Sequence, residues 1–99
     1  MTKKDVIKIL KELMPTLKSK YNVQKIGIFG SYSKETQDDY SDIDLVIYFN
    51  KPLGLKYIHL VDYLENHLGK NVDIITEQGL KHIRVKRTSD SIKKDITYV

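Results

Sequence analysis

Two short apolar runs joined by an acidic loop set the architecture of this chain. Ile26-Gly27-Ile28-Phe29 reads as a buried strand, and Leu45-Val46-Ile47-Tyr48-Phe49 as a second, rich in β-branched and aromatic residues. Between them stand Gly30-Ser31, ten further residues, and Asp42-Ile43-Asp44. Side chains two apart on a strand point the same way, and a strand rises about 3.3 Å per residue, so Asp42 and Asp44 project from one face about 6–7 Å apart. Two carboxylates so placed can approach shared cations. Mg²⁺ takes oxygen ligands and is commonly held by one or two carboxylates together with substrate phosphates. At the other end Gly30 lets the backbone approach a ligand closely. Ser31 offers a hydroxyl where a helix can begin, and a helix N-terminus suits a phosphate. Taken separately, a Gly-Ser pair is a turn and Ser41-Asp42-Ile43-Asp44 a solvated strand entry. Joined at this spacing between two strands, they read as a phosphate cradle facing a metal clamp.

The context Ile28-Phe29-Gly30-Ser31-Tyr32-Ser33 with Ser41-Asp42-Ile43-Asp44-Leu45 resembles the signature of the polymerase-beta-like nucleotidyltransferase superfamily, in its smallest branch, the minimal nucleotidyltransferases (MNT). The resemblance implies an α/β fold: a small mixed sheet flanked by helices. It implies Mg²⁺-dependent nucleotidyl transfer, with ATP as substrate, Gly30 and Ser31 on the triphosphate, and Asp42 and Asp44 as metal ligands. Many members of that branch are antitoxins paired with HEPN-domain toxins. The implied reaction is adenylyl transfer to a tyrosine of such a toxin. Asp73 interrupts the apolar run Val72-Asp73-Ile74-Ile75, where an unpaired buried charge would be costly. The resemblance supplies a reason, since family members carry a third carboxylate on the strand beside the Asp-x-Asp strand. Asp73 matches that position, as a third metal ligand or a base. A strand-edge Asp facing solvent is the plainer alternative.

Ninety-nine residues make one domain, 1–99, able to bury about 60–65% of its unfolded surface. The absence of cysteine excludes disulfides and thiolate metal sites. No apolar run approaches the ~18 residues of a membrane span, and Thr2-Lys3-Lys4-Asp5 opens no signal-peptide pattern, so a soluble, cytoplasmic protein is expected. The net charge of +4 is uneven. Residues 1–20 carry six lysines and residues 81–99 six Lys or Arg, while residues 35–44 carry five acids and no base. An acidic patch within a basic chain is expected where cations and polyphosphate meet. Such a balance also permits nucleic acid or an acidic protein as partner.

The remaining elements follow from periodicity. Residues 3–20 predict an amphipathic helix with Val6, Ile7, Leu10, Leu13, Met14 and Leu17 inward, Thr2 as N-cap, and a kink or break at Pro15. Val23–Phe29 and Ile43–Asn50 predict strands, the second central and covered on both faces. A short helix over Tyr32–Glu35 and a loop over Thr36–Tyr40 lie between them; Asp38 and Asp39 have no strand geometry to make them ligands. Residues 55–68 predict a second helix with Leu55, Ile58, Leu60, Val61, Leu64 and Leu68 inward, stopped by Gly69. Asn71–Thr76 predicts a third strand and Ile96–Val99 an edge strand. Short helices are expected to start at Glu77 and at Ser89, and Arg84, Lys86 and Arg87 form a basic cluster. His59, His67 and His82 have no ligand spacing. Within 99 residues no second domain is expected to grip an acceptor, so the shallow face of this domain or of a homo-oligomer is expected to do it, which favours a protein acceptor. Two other readings stay open: a non-catalytic module that neutralises a toxin by contact, and a small nucleic-acid-associated protein.

Overall fold

In the computed structural model, which describes residues 1–38, 40–77, 79 and 96–99, the first element is the helix α1, Lys3–Tyr21. It opens on a reciprocal cap. The Asp5 N–H donates to Thr2 Oγ1 at 3.2 Å, and the Thr2 N–H donates to Asp5 Oδ2 at 2.8 Å. These bonds from Thr2 hold the Asp5 carboxyl below the usual carboxylate range. The expected break at Pro15 does not occur, and α1 runs through it. Pro15 is exposed, so the carbonyl it strips of a partner meets water. The buried residues Val6 and Leu10 before it and Leu17 and Tyr21 after it stay in phase on one face, holding both halves to one core. Asn22, in the left-handed region at φ 55°, ends the helix by donating its N–H to Leu17 O.

The chain then makes β1 (Val23–Phe29), a five-residue helix α2 (Gly30–Lys34), β2 (Ile43–Phe49), α3 (Lys56–Leu68), β3 (Val72–Thr76) and a two-residue strand β4 (Thr97–Tyr98). The sheet order is β3-β2-β1-β4. Strand β2 lies antiparallel to β1 and parallel to β3, and β4 lies antiparallel to β1. A parallel pair needs a crossover, which α3 supplies. This is the mixed sheet with flanking helices that the resemblance implies.

Alternation sorts the sheet into two faces. Ile26 and Ile28 of β1 and Ile43, Leu45 and Ile47 of β2 join Val6, Leu10 and Leu17 of α1 and Leu60, Leu64 and Leu68 of α3 in the main core. Each such side chain contributes about 1.5–3 kcal/mol by leaving water. The opposite face carries a smaller cluster, with Phe29 and Val46 buried and Tyr48, Ile75 and Ile96 partly so. Strand β2 is therefore central, as its composition predicts, and its apolar residues are covered on both faces.

The inward set on α3 needs correction. Leu55 is 86% and Ile58 64% exposed, while Leu60, Leu64 and Leu68 are the buried residues. At 100° per residue Ile58 lies 200° from Leu60, on the far side of the stripe that the crossover presses onto the sheet. Leu55 precedes the first full turn as N-cap. Gly69 stops α3 as expected, at φ 71° with its N–H donating to Glu65 O.

Strand β4 is tied in by side chains as well as by pairing. The Tyr48 and Tyr98 hydroxyls stand 3.1 Å apart, and Lys25 Nζ lies 4.8 Å and 4.1 Å from the two ring centroids. The hydrogen bond with Tyr98, then burial, push the Tyr48 phenol up to about 12.

The readings at Asp39, Ser89, Asp90–Lys94, His82 and the basic cluster Arg84, Lys86 and Arg87 fall outside the described residues, as does most of the short helix expected from Glu77. Among the described residues no helix is long and apolar enough to cross a membrane.

One core residue carries a defect that can be removed. Tyr32 is buried in the main core and its hydroxyl has no hydrogen-bond partner among the described residues. A buried polar group left unpaired costs about 1–3 kcal/mol. Tyr32→Phe keeps the ring and removes that group, so the variant is expected to gain about 1 kcal/mol. Urea denaturation checks this; a loss of stability instead would mean that the hydroxyl is satisfied in solution.

Candidate active site

The end of β1 delivers Gly30 at φ +71°, a conformation open to glycine at little cost. A Cβ built there would fall on the Asp44 carboxylate. The glycine and the acid are therefore in direct apposition, and the absence of a side chain at position 30 is what allows it. The register explains the meeting. Asp44 is the antiparallel partner of Phe29, the last residue of β1, so the turn that follows must pass over it.

On its other side Asp44 is the parallel partner of Asp73. Val46 and Ile75, two residues on along each strand, share the smaller apolar cluster, while Leu45 and Ile74 face the main core. Asp44 and Asp73 therefore project from the same face, on strands about 4.8 Å apart. Asp42 precedes β2 and is exposed; Asp44 is half-buried; Asp73 is exposed on the outer strand β3. Asp73 thus combines both readings of its position. It stands on an outer strand facing solvent, and it stands beside Asp44 on the same face of the sheet.

Burial, then the Asp73 charge, then the Asp42 charge raise the Asp44 carboxyl above the ordinary Asp value. Three like charges are held near one another, with Asp44 at the focus. Tyr57 of α3, to which the sequence assigned no role, also feels this site: burial first, and then the Asp73 charge, raise its phenol. Among the described residues, no three His, Cys, Asp or Glu side chains are drawn close enough to hold a metal ion by themselves. The carboxylates form an open ledge rather than a closed cage.

Ser31 is half-buried in the first turn of α2, and its carbonyl accepts the Thr36 N–H at 2.9 Å. Glu35 caps α2 at φ 58°, the left-handed region. Ser33 Oγ and Thr97 Oγ1 stand 3.1 Å apart, fastening α2 to β4. Asp38 is occupied structurally: its Oδ1 accepts from the Tyr40 N–H at 2.8 Å and the Ser41 hydroxyl at 3.2 Å. His59 and His67 are exposed on α3, and His67 Nδ1 lies 2.8 Å from Tyr63 O. A cavity of about 380 Å³ lies between the β2–α3 turn and the end of β3, lined by Phe49, Lys51, Leu53, Tyr57, Thr76 and Glu77 among others. It opens at the opposite end of β2 from Asp42 and Asp44.

Comparison with known proteins agrees with this arrangement. The family described as "Nucleotidyltransferase domain" matches residues 7–99. A Methanocaldococcus jannaschii protein inferred to be a protein adenylyltransferase is 40% identical over 99 residues, covering 99% of this chain and 98% of its own. The protein adenylyltransferase MntA of Thermococcus cleftensis is 32% identical, over 100% and 97% of the two chains. Among solved structures, a minimal nucleotidyltransferase superposes with a TM-score of 0.73 over 98% of this chain and 95% of that one, at 23% identity. A toxin–antitoxin structure with AMP-PNP shares the fold at a TM-score of 0.55 and 22% identity, over 96% and 84% of the chains. With the fold, the Gly-Ser turn and the family match in place, the chain belongs to the nucleotidyltransferase domain family, as a minimal nucleotidyltransferase of the protein adenylyltransferase, MntA type.

Proposed function

We propose that this protein transfers an adenylyl group from ATP, with Mg²⁺, to a tyrosine hydroxyl of a HEPN-domain toxin and thereby acts as its antitoxin. The carrying observation is the apposition of Gly30 to Asp44, with Asp73 in register beside it. A triphosphate held at Gly30 and Ser31 would lie against the carboxylates. The donor set fits Mg²⁺, because an open pair or trio of carboxylates leaves positions for phosphate oxygens and water, which that ion prefers to an all-protein cage. Asp42 and Asp44 would hold it, and Asp73 would complete the acidic ledge. Mg²⁺ when bound supplies positive charge to the triphosphate and to the leaving pyrophosphate.

The chain's own contribution is placement. Gly30 admits the phosphates to the backbone, Ser31 donates its hydroxyl to them, and the β2–β3 register sets the carboxylates. Asp73, the exposed acid, is placed to accept the proton of an incoming hydroxyl. The tyrosine oxygen bonds to the α-phosphorus, the bond from that phosphorus to the bridging oxygen breaks, and pyrophosphate leaves. The HEPN partner rests on the family resemblance. The shared fold of a toxin–antitoxin structure with AMP-PNP supports the nucleotide and the pairing.

Incubation of the two proteins with ATP and Mg²⁺ tests the reading. A mass gain of adenylyl groups on the partner's tyrosine, abolished by a chelator, is expected. Neutralisation of the toxin with no such gain would turn the reading to a contact-only antitoxin. Ser31→Ala is expected to weaken ATP binding by about 0.5–1.5 kcal/mol in a calorimetric titration, and somewhat more where the lost hydrogen bond met a charge. Unchanged affinity would remove Ser31 from the cradle.

A further inference from the structure

The chain has seven tyrosines, and their environments separate them. Tyr21 and Tyr32 are buried in the main core. Tyr63 packs against Tyr21 and His67. Tyr48 and Tyr98 share a hydrogen bond. Tyr57 is half-buried. Tyr40 alone is presented almost whole to solvent, at 93% exposure, and its hydroxyl makes no hydrogen bond to a described residue. A tyrosine gains most by burying its ring, and position 40 gains nothing of that kind.

Its place in the chain is specific. The residue stands two before Asp42, at most about 7 Å of chain away. Its backbone is held there: the Tyr40 N–H donates to Asp38 Oδ1 at 2.8 Å, Asp38 N–H donates to Ser41 Oγ at 3.0 Å, and Ser41 N–H donates to Asp38 O at 3.2 Å. This small turn fixes the backbone of an accessible phenol two residues before Asp42.

We infer that Tyr40 is itself an adenylyl acceptor, so that the protein modifies its own approach loop when no partner hydroxyl occupies the site. The inference rests on the adenylyl-transfer reading above and adds a second substrate to it. The phenol oxygen of Tyr40 bonds to the α-phosphorus of ATP, the bond from that phosphorus to the bridging oxygen breaks, pyrophosphate departs with that oxygen, and the phenol proton passes to water. The product is a phosphodiester carrying a bulky anion two residues from Asp42.

The test uses the full chain, ATP and Mg²⁺, with and without the HEPN protein. Intact mass should show the chain gaining an adenylyl group in the absence of the partner, and fragmentation should place it on Tyr40. Tyr40→Phe should lose this self-labelling by at least about tenfold while binding ATP and labelling the partner as the wild type does. Tyr57→Phe should self-label normally. Label on another residue, or wild-type self-labelling by Tyr40→Phe, overturns the inference. So does an unlabelled chain that still adenylylates its partner, in which case the proposed function stands. If ATP binds to neither variant nor wild type and no protein is labelled, both readings fail together.

Discussion

Asp44→Asn is expected to abolish adenylyl transfer and at the same time to make the protein more stable at neutral pH. Loss of a group one shell out from a metal lowers affinity or activity 10–100-fold, so loss of a ligand itself should lower transfer by about 100-fold or more. The gain in stability comes from the repulsion already present at the site. Burial, Asp73 and Asp42 raise the Asp44 carboxyl in the folded protein. A group whose folded value is raised favours the folded state below its unfolded value, and that favour is lost as pH rises through the folded value. At about pH 7 the wild type therefore carries a penalty that the asparagine variant lacks, and below about pH 3.9 both side chains are neutral and the difference closes. Melting curves at both pH values, measured without metal, check the sign. A variant less stable than wild type at neutral pH, or one with wild-type transfer, would remove Asp44 from the role given to it.

Gly30→Ala is expected to damage both stability and transfer. At φ +71° an alanine costs about 1–2 kcal/mol in backbone strain alone. For a domain of this size each kcal/mol moves the melting temperature by about 4–8 °C. The new methyl also takes the place of the Asp44 carboxylate, which must move. A displacement of about 1 Å at a reacting centre can lower a rate 100-fold. Because both changes act through the same carboxylate, they should not add. The double variant with Asp44→Asn should transfer no more slowly than Asp44→Asn alone, while Gly30→Ala alone should be severely impaired. Additive losses would show that Gly30 acts independently of Asp44, through the phosphates only.

Much of this was legible in the sequence, and the reasons differ by element. Strands β1 and β2 announce themselves because their apolar residues are continuous and end at a glycine and at a charge. The pairing of Asp73 with Asp44 was reachable only through resemblance, since alternation gives the face of a residue but not which strand lies beside it. Pro15 does not split α1, because the rule for proline is local, whereas α1 is held from both sides of the proline by contacts to a distant sheet. Leu55 and Ile58 misled for the opposite reason. Leucine and isoleucine near a helix start look inward by composition, and the stripe that the sheet selects runs through Leu60, Leu64 and Leu68 instead. No periodicity could have flagged Tyr57, whose coupling to the Asp73 charge arises from folding, or the exposure of Tyr40, whose backbone is held by a turn built on Asp38.

The bond between Ser33 and Thr97 joins segments sixty-four positions apart. Strand β4 is only two residues long, so by itself it should fray readily, opening at small free-energy expense well before the sheet as a whole. Its hold on α2 makes that fraying a shared event: when β4 lifts, the helix bearing Ser31 loses a brace. Linkage then runs in reverse. Any ligand that needs α2 in place favours the closed strand, so on the proposed cradle nucleotide occupancy and the protection of the Val99 amide, which donates to Ile26 O at 2.9 Å, would rise and fall together. If Ser31 holds the triphosphate as proposed, β4 would serve as a latch on the nucleotide grip, and anything that competes for β4 would compete with ATP.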